Sequence, residues 1–254
     1  MDLGLSGRLA LVTGASAGIG EACALALAAE GARVAVAARR RDRLDAVALR
    51  ARELGAPDAR AFAVDLRDAA SIAALHDAVR RELGDPDVLV VNGGGPPLGG
   101  YLDVAMRDWD EAYHLTLRSA LLLIDGALPA MRRRRWGRIV ALESTSVERP
   151  IPGLVLSNAL RSAVVGALTT LASEVAGDGV TVNVIATGRI ATDRLRSRYP
   201  DPAAFELAAR EVPARRFGAP SELAPMVAFL CGEPAGYVTG ATIPVDGGLL
   251  AGAT

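Results

Sequence analysis

Residues 9–20 read LALVTGASAGIG, and this stretch predicts how the chain begins to fold. An apolar run of strand length precedes three glycines, and the alanine-rich segment after them has the length of a helix. Gly14, Gly18 and Gly20 permit a tight turn and let backbone N–H groups approach a pyrophosphate at the N-terminus of that helix. The stretch therefore predicts a strand–turn–helix unit that binds a dinucleotide.

The same alternation of a short apolar run and a longer helical segment continues along the chain. Repeated units of this kind build a parallel sheet with helices on both faces. We therefore predict an α/β fold with one Rossmann-type doubly wound sheet of about seven strands, in a single domain over residues 1–254. The predicted strands cover residues 9–12, 33–38, 61–64, 88–92, 138–142, 181–186 and 242–245. The predicted helices cover residues 19–30, 41–54, 69–83, 103–131, 156–176 and 221–231.

Residues 189–216 interrupt this alternation, because prolines stand among charged residues there. We interpret the segment as a substrate lid. Its arginines favour either an acidic substrate or an ordinary solvated charged surface. They are Arg189, Arg194, Arg196 and Arg198.

The composition favours small-molecule chemistry. A formal net charge of -1 provides no cationic surface for nucleic acid or an acidic membrane. No run of about 18 apolar residues predicts a membrane span. Cys23 and Cys231 stand among apolar neighbours, which indicates buried free thiols and a cytoplasmic protein. His76 and His114 lack a second ligand at metal spacing, so no metal site is predicted. All 28 basic residues are arginine, and the chain contains no lysine.

The spacing TGxxxGxG at residues 13–20 resembles the short-chain dehydrogenase/reductase family, and the resemblance extends over nearly the whole chain. It implies hydride transfer between a nicotinamide and a carbonyl or secondary alcohol, in a homotetramer joined through its long helices. AVDLRD at 63–68 resembles the segment that holds the adenine ring, although Asp65 also suits an ordinary helix cap. The implied cofactor-binding residues are Gly14, Ser16, Gly18, Ile19, Gly20, Asp65, Leu66, Asn92, Gly93, Gly94, Gly188, Ile190 and Thr192.

The end of the second predicted strand bears on the choice between NADP(H) and NAD(H). Ala38 stands where an acidic residue would hold a ribose 2′-hydroxyl. Arg39, Arg40 and Arg41 follow at a helix N-terminus, where positive charge opposes the helix dipole unless an anion binds. The alternative is a solvated basic helix end. We predict NADP(H), with Arg39 on the 2′-phosphate and Arg40 in the cofactor site.

The family's catalytic positions are altered in this chain. GRIVALES at 137–144 resembles the strand that leads to the family's carbonyl-polarising serine and assigns it to Ser144, with Ser146 less favoured. At the positions of the proton-donating tyrosine and the ribose-binding lysine stand Ser157 and Arg161. Thr116 takes the place of the relay asparagine. Because the chain has no lysine, the YxxxK motif is absent rather than displaced.

Ser157 and Arg161 are four residues apart and are predicted to share one helix face. Arg161 retains a positive charge for cofactor or substrate but supplies no proton, and an aliphatic hydroxyl is a far weaker acid than a phenol. Losing the positioned acid costs roughly 10²–10⁴ in rate unless water, substrate, Tyr199 or Glu148 compensates. Ser157 also suits a polar helix start. Strand alternation predicts that Glu143 points away from Ser144.

Three functions follow from these patterns. The first is an NADP(H)-dependent oxidoreductase acting on a small carbonyl or alcohol. The second is a catalytically silent nucleotide-binding protein that acts as a sensor or in an assembly. The third is isomerisation or dehydration on the same fold, for which no residue argues specifically. The maintained Ser144 strand and lid favour the first.

Overall fold

In the computed structural model, which describes residues 1–252, the chain folds around a sheet of seven parallel strands. The strands are β1 (Leu9–Thr13), β2 (Arg33–Ala38), β3 (Ala59–Ala63), β4 (Val88–Val91), β5 (Gly137–Ser144), β6 (Val180–Thr187) and β7 (Thr242–Val245). They lie in the order β3-β2-β1-β4-β5-β6-β7. The expected fold class is confirmed. The strand order reverses between β1 and β4, so the carboxyl ends of the strands open a crevice there.

Helices cover both faces of this sheet. They are α1 (Gly18–Ala29), α2 (Arg41–Glu53), α3 (Ala69–Glu82), α4 (Met106–Ala112), α5 (Ser119–Arg134), α6 (Val155–Val175), α7 (Asp193–Arg198), α8 (Pro202–Arg210) and α9 (Pro220–Cys231). Strand alternation sends Ala10 and Val12 into the core beneath α1, α2 and α9, and sends Leu9 and Leu11 into the core beneath α3, α5 and α6.

The predicted helix over residues 103–131 forms over residues 106–134, but it is not a regular α-helix throughout. Between α4 and α5 the chain makes a wider π-type turn over Tyr113–Arg118. The Ser119 hydroxyl donates to the Leu115 carbonyl oxygen at 2.6 Å, and such bonds to the preceding turn distort a helix. Wide turns of this kind are common at functional sites, and this one contains Thr116.

The insertion at residues 189–216 contains two short helices, α7 and α8. Thr192 caps α7 by accepting the Leu195 N–H at 3.3 Å. Phe217 packs against Phe205, with ring centroids 4.6 Å apart, and stacks on Tyr199 at 6.4 Å. The insertion is therefore held by an aromatic cluster, and Tyr199 belongs to that cluster.

Helix α6, with the turn that follows it, is long and apolar enough to span a membrane by length and composition alone, and 22% of its most apolar window is buried. Core helices of soluble proteins have the same length and composition, so this is weak evidence for a membrane. Val164 and Leu168 pack α6 into the core on one face of the sheet. The exposed positions of the helix carry small or polar residues, from Ala159 to Glu174.

Candidate active site

The turn between β1 and α1 forms a cradle of small residues. Gly14 and Gly18 have φ angles of +60° and +64°, which side-chain-bearing residues rarely adopt. A Cβ on Gly20 would collide with the Gly14 carbonyl oxygen and lie 2.6 Å from Nδ2 of Asn92. Ala17, at the N-cap of α1, supplies no side-chain acceptor to the first N–H groups of the helix. These features fit the pyrophosphate of a dinucleotide.

Asn92 ties the end of β4 to this turn. Its side-chain amide donates to the Thr13 and Gly14 carbonyl oxygens at 3.3 Å each. The Thr13 hydroxyl donates in turn to the Asn92 carbonyl oxygen at 2.8 Å. Asn92 therefore holds the glycine turn in place, while Gly93 and Gly94 lie exposed beyond it.

The arginines after β2 lie beside the same turn. Arg40 donates to the Ser16 hydroxyl oxygen at 2.9 Å, so two predicted cofactor residues are in contact. Arg39 is exposed. A cavity of about 490 Å³ extends from Ser16 to Thr192 and is also lined by Arg43. We did not single out Arg43 from the sequence, although it stands in the same basic run.

Asp65 and Leu66 follow β3. Asp65 accepts from the Arg67 guanidinium at 2.6 Å and from the Arg67 backbone N–H at 3.0 Å. These hydrogen bonds lower the pKa of Asp65 to about 2, so its carboxylate is charged at neutral pH. Leu66 is buried and lies beside Gly93, where an added Cβ would contact its side chain at 3.4 Å.

The start of the insertion closes the other side of the cradle. A Cβ on Gly18 would lie 3.1 Å from the Thr192 methyl carbon. Ile190 is buried and pairs with Gly218 across an isolated bridge. At Gly188 the backbone approaches Asp246 so closely that a Cβ would lie 2.5 Å from its Cα.

Ser157 and Arg161 are brought together on α6, as predicted. The Arg161 Nε–H donates to Ser157 Oγ at 3.0 Å. Nη1 of the same guanidinium reaches the Leu142 carbonyl oxygen of β5 at 3.3 Å. Ser144 ends β5, and its Oγ accepts the Ser146 N–H at 3.1 Å. Both serine hydroxyls therefore accept a hydrogen bond, and each retains its own proton to donate.

The structure brings Glu143 into the site, although strand alternation turns it away from Ser144. Its Oε2 pairs with Arg161 Nη1 at 2.7 Å, and its side chain is 5% exposed. Alternation does separate Glu143 from Ser144, but it directs Glu143 to the same face as Ile139 and Ala141, which α6 covers. Burial raises the pKa of Glu143, and the neighbouring Arg161 opposes part of that rise.

Thr116, the predicted relay residue, lies in the π-type turn. It is buried, and among residues 1–252 its hydroxyl has no hydrogen-bond partner. The Ser146 hydroxyl is also buried and has no hydrogen-bond partner among these residues. Buried polar atoms without partners are costly, so both are available to a water molecule or a ligand. Glu148, by contrast, is exposed.

Comparison with known proteins identifies the family of the chain. The family model described as enoyl-(acyl carrier protein) reductase matches residues 14–250. The chain is 36% identical over 247 residues to the 3-oxoacyl-(acyl-carrier-protein) reductase FabG of Escherichia coli, covering 97% of this chain and 99% of that protein. It is 35% identical over 249 residues to dehydrogenase/reductase SDR family member 4 of Bos taurus, covering 97% of this chain and 88% of that protein.

Among solved structures, L-sorbose reductase of Gluconobacter frateurii in complex with NADPH and L-sorbose superimposes with a TM-score of 0.93 at 33% identity, covering 98% of this chain and 99% of that chain. The similarity thus extends from the glycine turn to the last strand. The chain belongs to the short-chain dehydrogenase/reductase family.

Proposed function

We propose that this protein is an NADP(H)-dependent oxidoreductase that interconverts a carbonyl and a secondary alcohol, with Ser157 and Arg161 replacing the usual tyrosine and lysine. One observation supports this most. The Arg161 Nε–H donates to Ser157 Oγ, which leaves the hydroxyl proton of Ser157 free for a carbonyl oxygen. The preference for NADP(H) and the roles of the two side chains are the parts of the proposal to test.

The chain's own groups would stabilise the charge that develops during the reaction. When bound, the reduced nicotinamide supplies a hydride to the carbonyl carbon. The hydroxyls of Ser144 and Ser157 donate to the carbonyl oxygen, and the Arg161 charge stabilises the negative charge that develops there. Glu143 holds Arg161 by an ion pair of 2.7 Å and is a positioning residue.

The final proton comes from water in this mechanism. An aliphatic hydroxyl is a weaker acid than a phenol, and a guanidinium does not release its proton at neutral pH. The alkoxide that forms is basic enough to take a proton from a water molecule in the crevice. We expect a slow reductase, because a positioned general acid contributes roughly 10²–10⁴ in rate.

Arg39→Ala and Arg40→Ala are each expected to weaken NADPH binding about tenfold and to leave NADH binding unchanged, because only NADPH has a 2′-phosphate for a charged hydrogen bond. Among residues 1–252, neither arginine forms an ion pair with an acidic side chain. Arg41→Ala is the matched control, since Arg41 pairs with Asp45 at 3.0 Å. Nucleotide fluorescence titrations measure all three variants. Equal losses for both nucleotides would contradict the assignment.

The proposed activity is tested by NADPH oxidation with a panel of ketones, sugars and 3-oxoacyl thioesters. Turnover of any carbonyl that is lost in Ser144→Ala supports a reductase. Tight NADPH binding without turnover of any compound would instead favour the alternative, a silent nucleotide-binding protein.

We further propose that residues 189–216 act as a substrate lid and that α5 and α6 join copies of the chain into a homotetramer. Only 22% of the most apolar window of α6 is buried in the single chain, which supports the second point, because a largely apolar helix gains from a partner. Light scattering measures the mass of the purified protein, and a monomer at micromolar concentration would contradict the proposed homotetramer.

The free, buried thiols of Cys23 and Cys231 are consistent with a cytoplasmic protein.

A further inference from the structure

Arg194 of α7 reaches from the insertion across the crevice. Its Nη1 donates to the Gly95 carbonyl oxygen, in the loop after β4, at 3.3 Å. The guanidinium lies so close to this backbone that it would collide with a Cβ on Gly95. Among residues 1–252, no acidic side chain forms an ion pair with Arg194.

The other arginines in α7, and the arginine shortly before it, contact residues within or next to the insertion. Arg189 pairs with Glu211 at 2.6 Å. Arg196 lies over the Phe205 ring at 5.4 Å, and Arg198 lies over the Tyr199 ring at 5.8 Å. Arg194, Arg196 and Arg198 are nevertheless exposed, as expected of a solvated charged surface. Arg194 differs because it contacts the crevice loop.

The surroundings of Arg194 are positively charged. Loss of water around its guanidinium lowers the pKa of Arg194, and the like charges of Arg161 and Arg198 lower it further. The Glu143 carboxylate is bound to Arg161 at 2.7 Å, and that pair is almost fully buried. Arg161 and Arg194 thus repel each other, and among the described residues the Glu143 carboxylate pairs only with Arg161, so an anion bound at Arg194 would stabilise the arrangement.

Arg194 contacts Gly95, which follows the predicted cofactor residues Gly93 and Gly94 in the loop after β4. The cavity beside the glycine turn is lined by Asp193 and Arg196 of the same short helix, and Arg194 is not part of its wall. The helix therefore places Arg196 in the wall of the cavity beside the glycine turn and Arg194 against Gly95.

We propose that the crevice takes a carbonyl substrate that also carries a carboxylate or phosphate group, and that Arg194 binds this group. The inference rests on the proposed function, because it assigns the substrate class of the same site. Arg161 stabilises the reacting oxygen, and Arg194 holds the charged end of the molecule. A guanidinium suits this role because its N–H groups match both oxygens of a carboxylate or phosphate.

The experiment compares charged and neutral probes of matched shape by calorimetric titration of the NADP⁺-saturated protein at low ionic strength. The pairs are acetoacetate with acetoacetamide, levulinate with its amide, and dihydroxyacetone phosphate with dihydroxyacetone. At least one charged member is expected to bind about ten- to a hundredfold more tightly than its neutral partner, since hydrogen bonds between charged groups are strong. Arg194→Gln is expected to abolish that preference.

Arg210→Gln is the matched control. It removes one positive charge from the same insertion, and Arg210 has only an exposed pairing with Glu206 at 3.9 Å. It is expected to keep the preference for the charged probe. Equal binding within all three pairs in the wild type, or an unchanged preference in Arg194→Gln, would overturn the proposal. So would a loss of NADPH affinity in Arg194→Gln with the preference intact, since the anion would then be the dinucleotide's own.

Parallel turnover assays separate this inference from the proposed function. A charged probe that binds through Arg194 but is never reduced supports the anion site and counts against a reductase. Reduction of neutral carbonyls alone, without preference for any charged probe, supports the reductase and overturns the anion site.

Discussion

Arg161→Met is expected to lower the free energy of unfolding by about 3–5 kcal/mol at neutral pH, because removing one partner of a buried ion pair leaves the other charge uncompensated. Glu143 is 5% exposed and pairs with Arg161 at 2.7 Å. Among residues 1–252, no other side chain donates a hydrogen bond to its carboxylate. Urea denaturation of the variant and the wild type measures the loss.

The double variant Arg161→Met with Glu143→Gln is the matched control. It removes both charges, so it should regain most of the lost stability. NADPH-dependent reduction should remain low in both variants, since neither has the Arg161 charge near the reacting oxygen. A double variant as unstable as the single one would show that packing, rather than the buried charge, accounts for the loss.

The loss in Arg161→Met should depend on pH with a definite sign. Burial raises the pKa of Glu143, and Arg161 limits that rise, so the variant raises it further. Between the unfolded pKa, about 4.3, and the raised folded pKa, the folded state binds more protons than the unfolded state. The variant is therefore most stable below the unfolded value and loses stability as pH rises through the folded pKa. A difference from the double variant that does not change with pH would contradict this.

Local patterns predicted much of this structure. The strand–turn–helix unit from Leu9 to Ala29 follows from an apolar run, three glycines and an alanine-rich segment. The contact between Ser157 and Arg161 follows from helical spacing alone. Both depend on residues that are close in sequence, where backbone geometry determines which side chains meet.

Two features of the site depend on tertiary packing instead. Alternation correctly separated Glu143 from Ser144, but only the packed fold brings α6 over the face that holds Glu143. The insertion contains several arginines, and the sequence alone does not distinguish Arg194, which contacts Gly95, from those that contact aromatic rings. The pattern of charges predicted a basic lid without showing which side chain reaches the crevice.

The double variant Ser157→Tyr with Arg161→Lys is expected to raise kcat for carbonyl reduction by about 10²–10⁴, because it restores a phenol as a positioned general acid with a cation one helical turn away. The lysine ammonium would still lie near the buried Glu143 carboxylate, so the counter-charge of the site is retained. Stopped-flow and steady-state NADPH oxidation measure the change with whichever carbonyl the wild type reduces.

The matched control is Ser157→Phe with Arg161→Lys, which adds the same ring without a hydroxyl. If the tyrosine variant is faster than this control by the stated factor, proton supply limits the wild-type reaction, and water is its slow proton donor. If the two variants are equally slow, an acid at this position does not limit the rate. The rate would then depend on how well Ser157, Arg161 and Glu143 stabilise the charge on the substrate oxygen. That is expected where hydride transfer, rather than proton transfer, is the slow step.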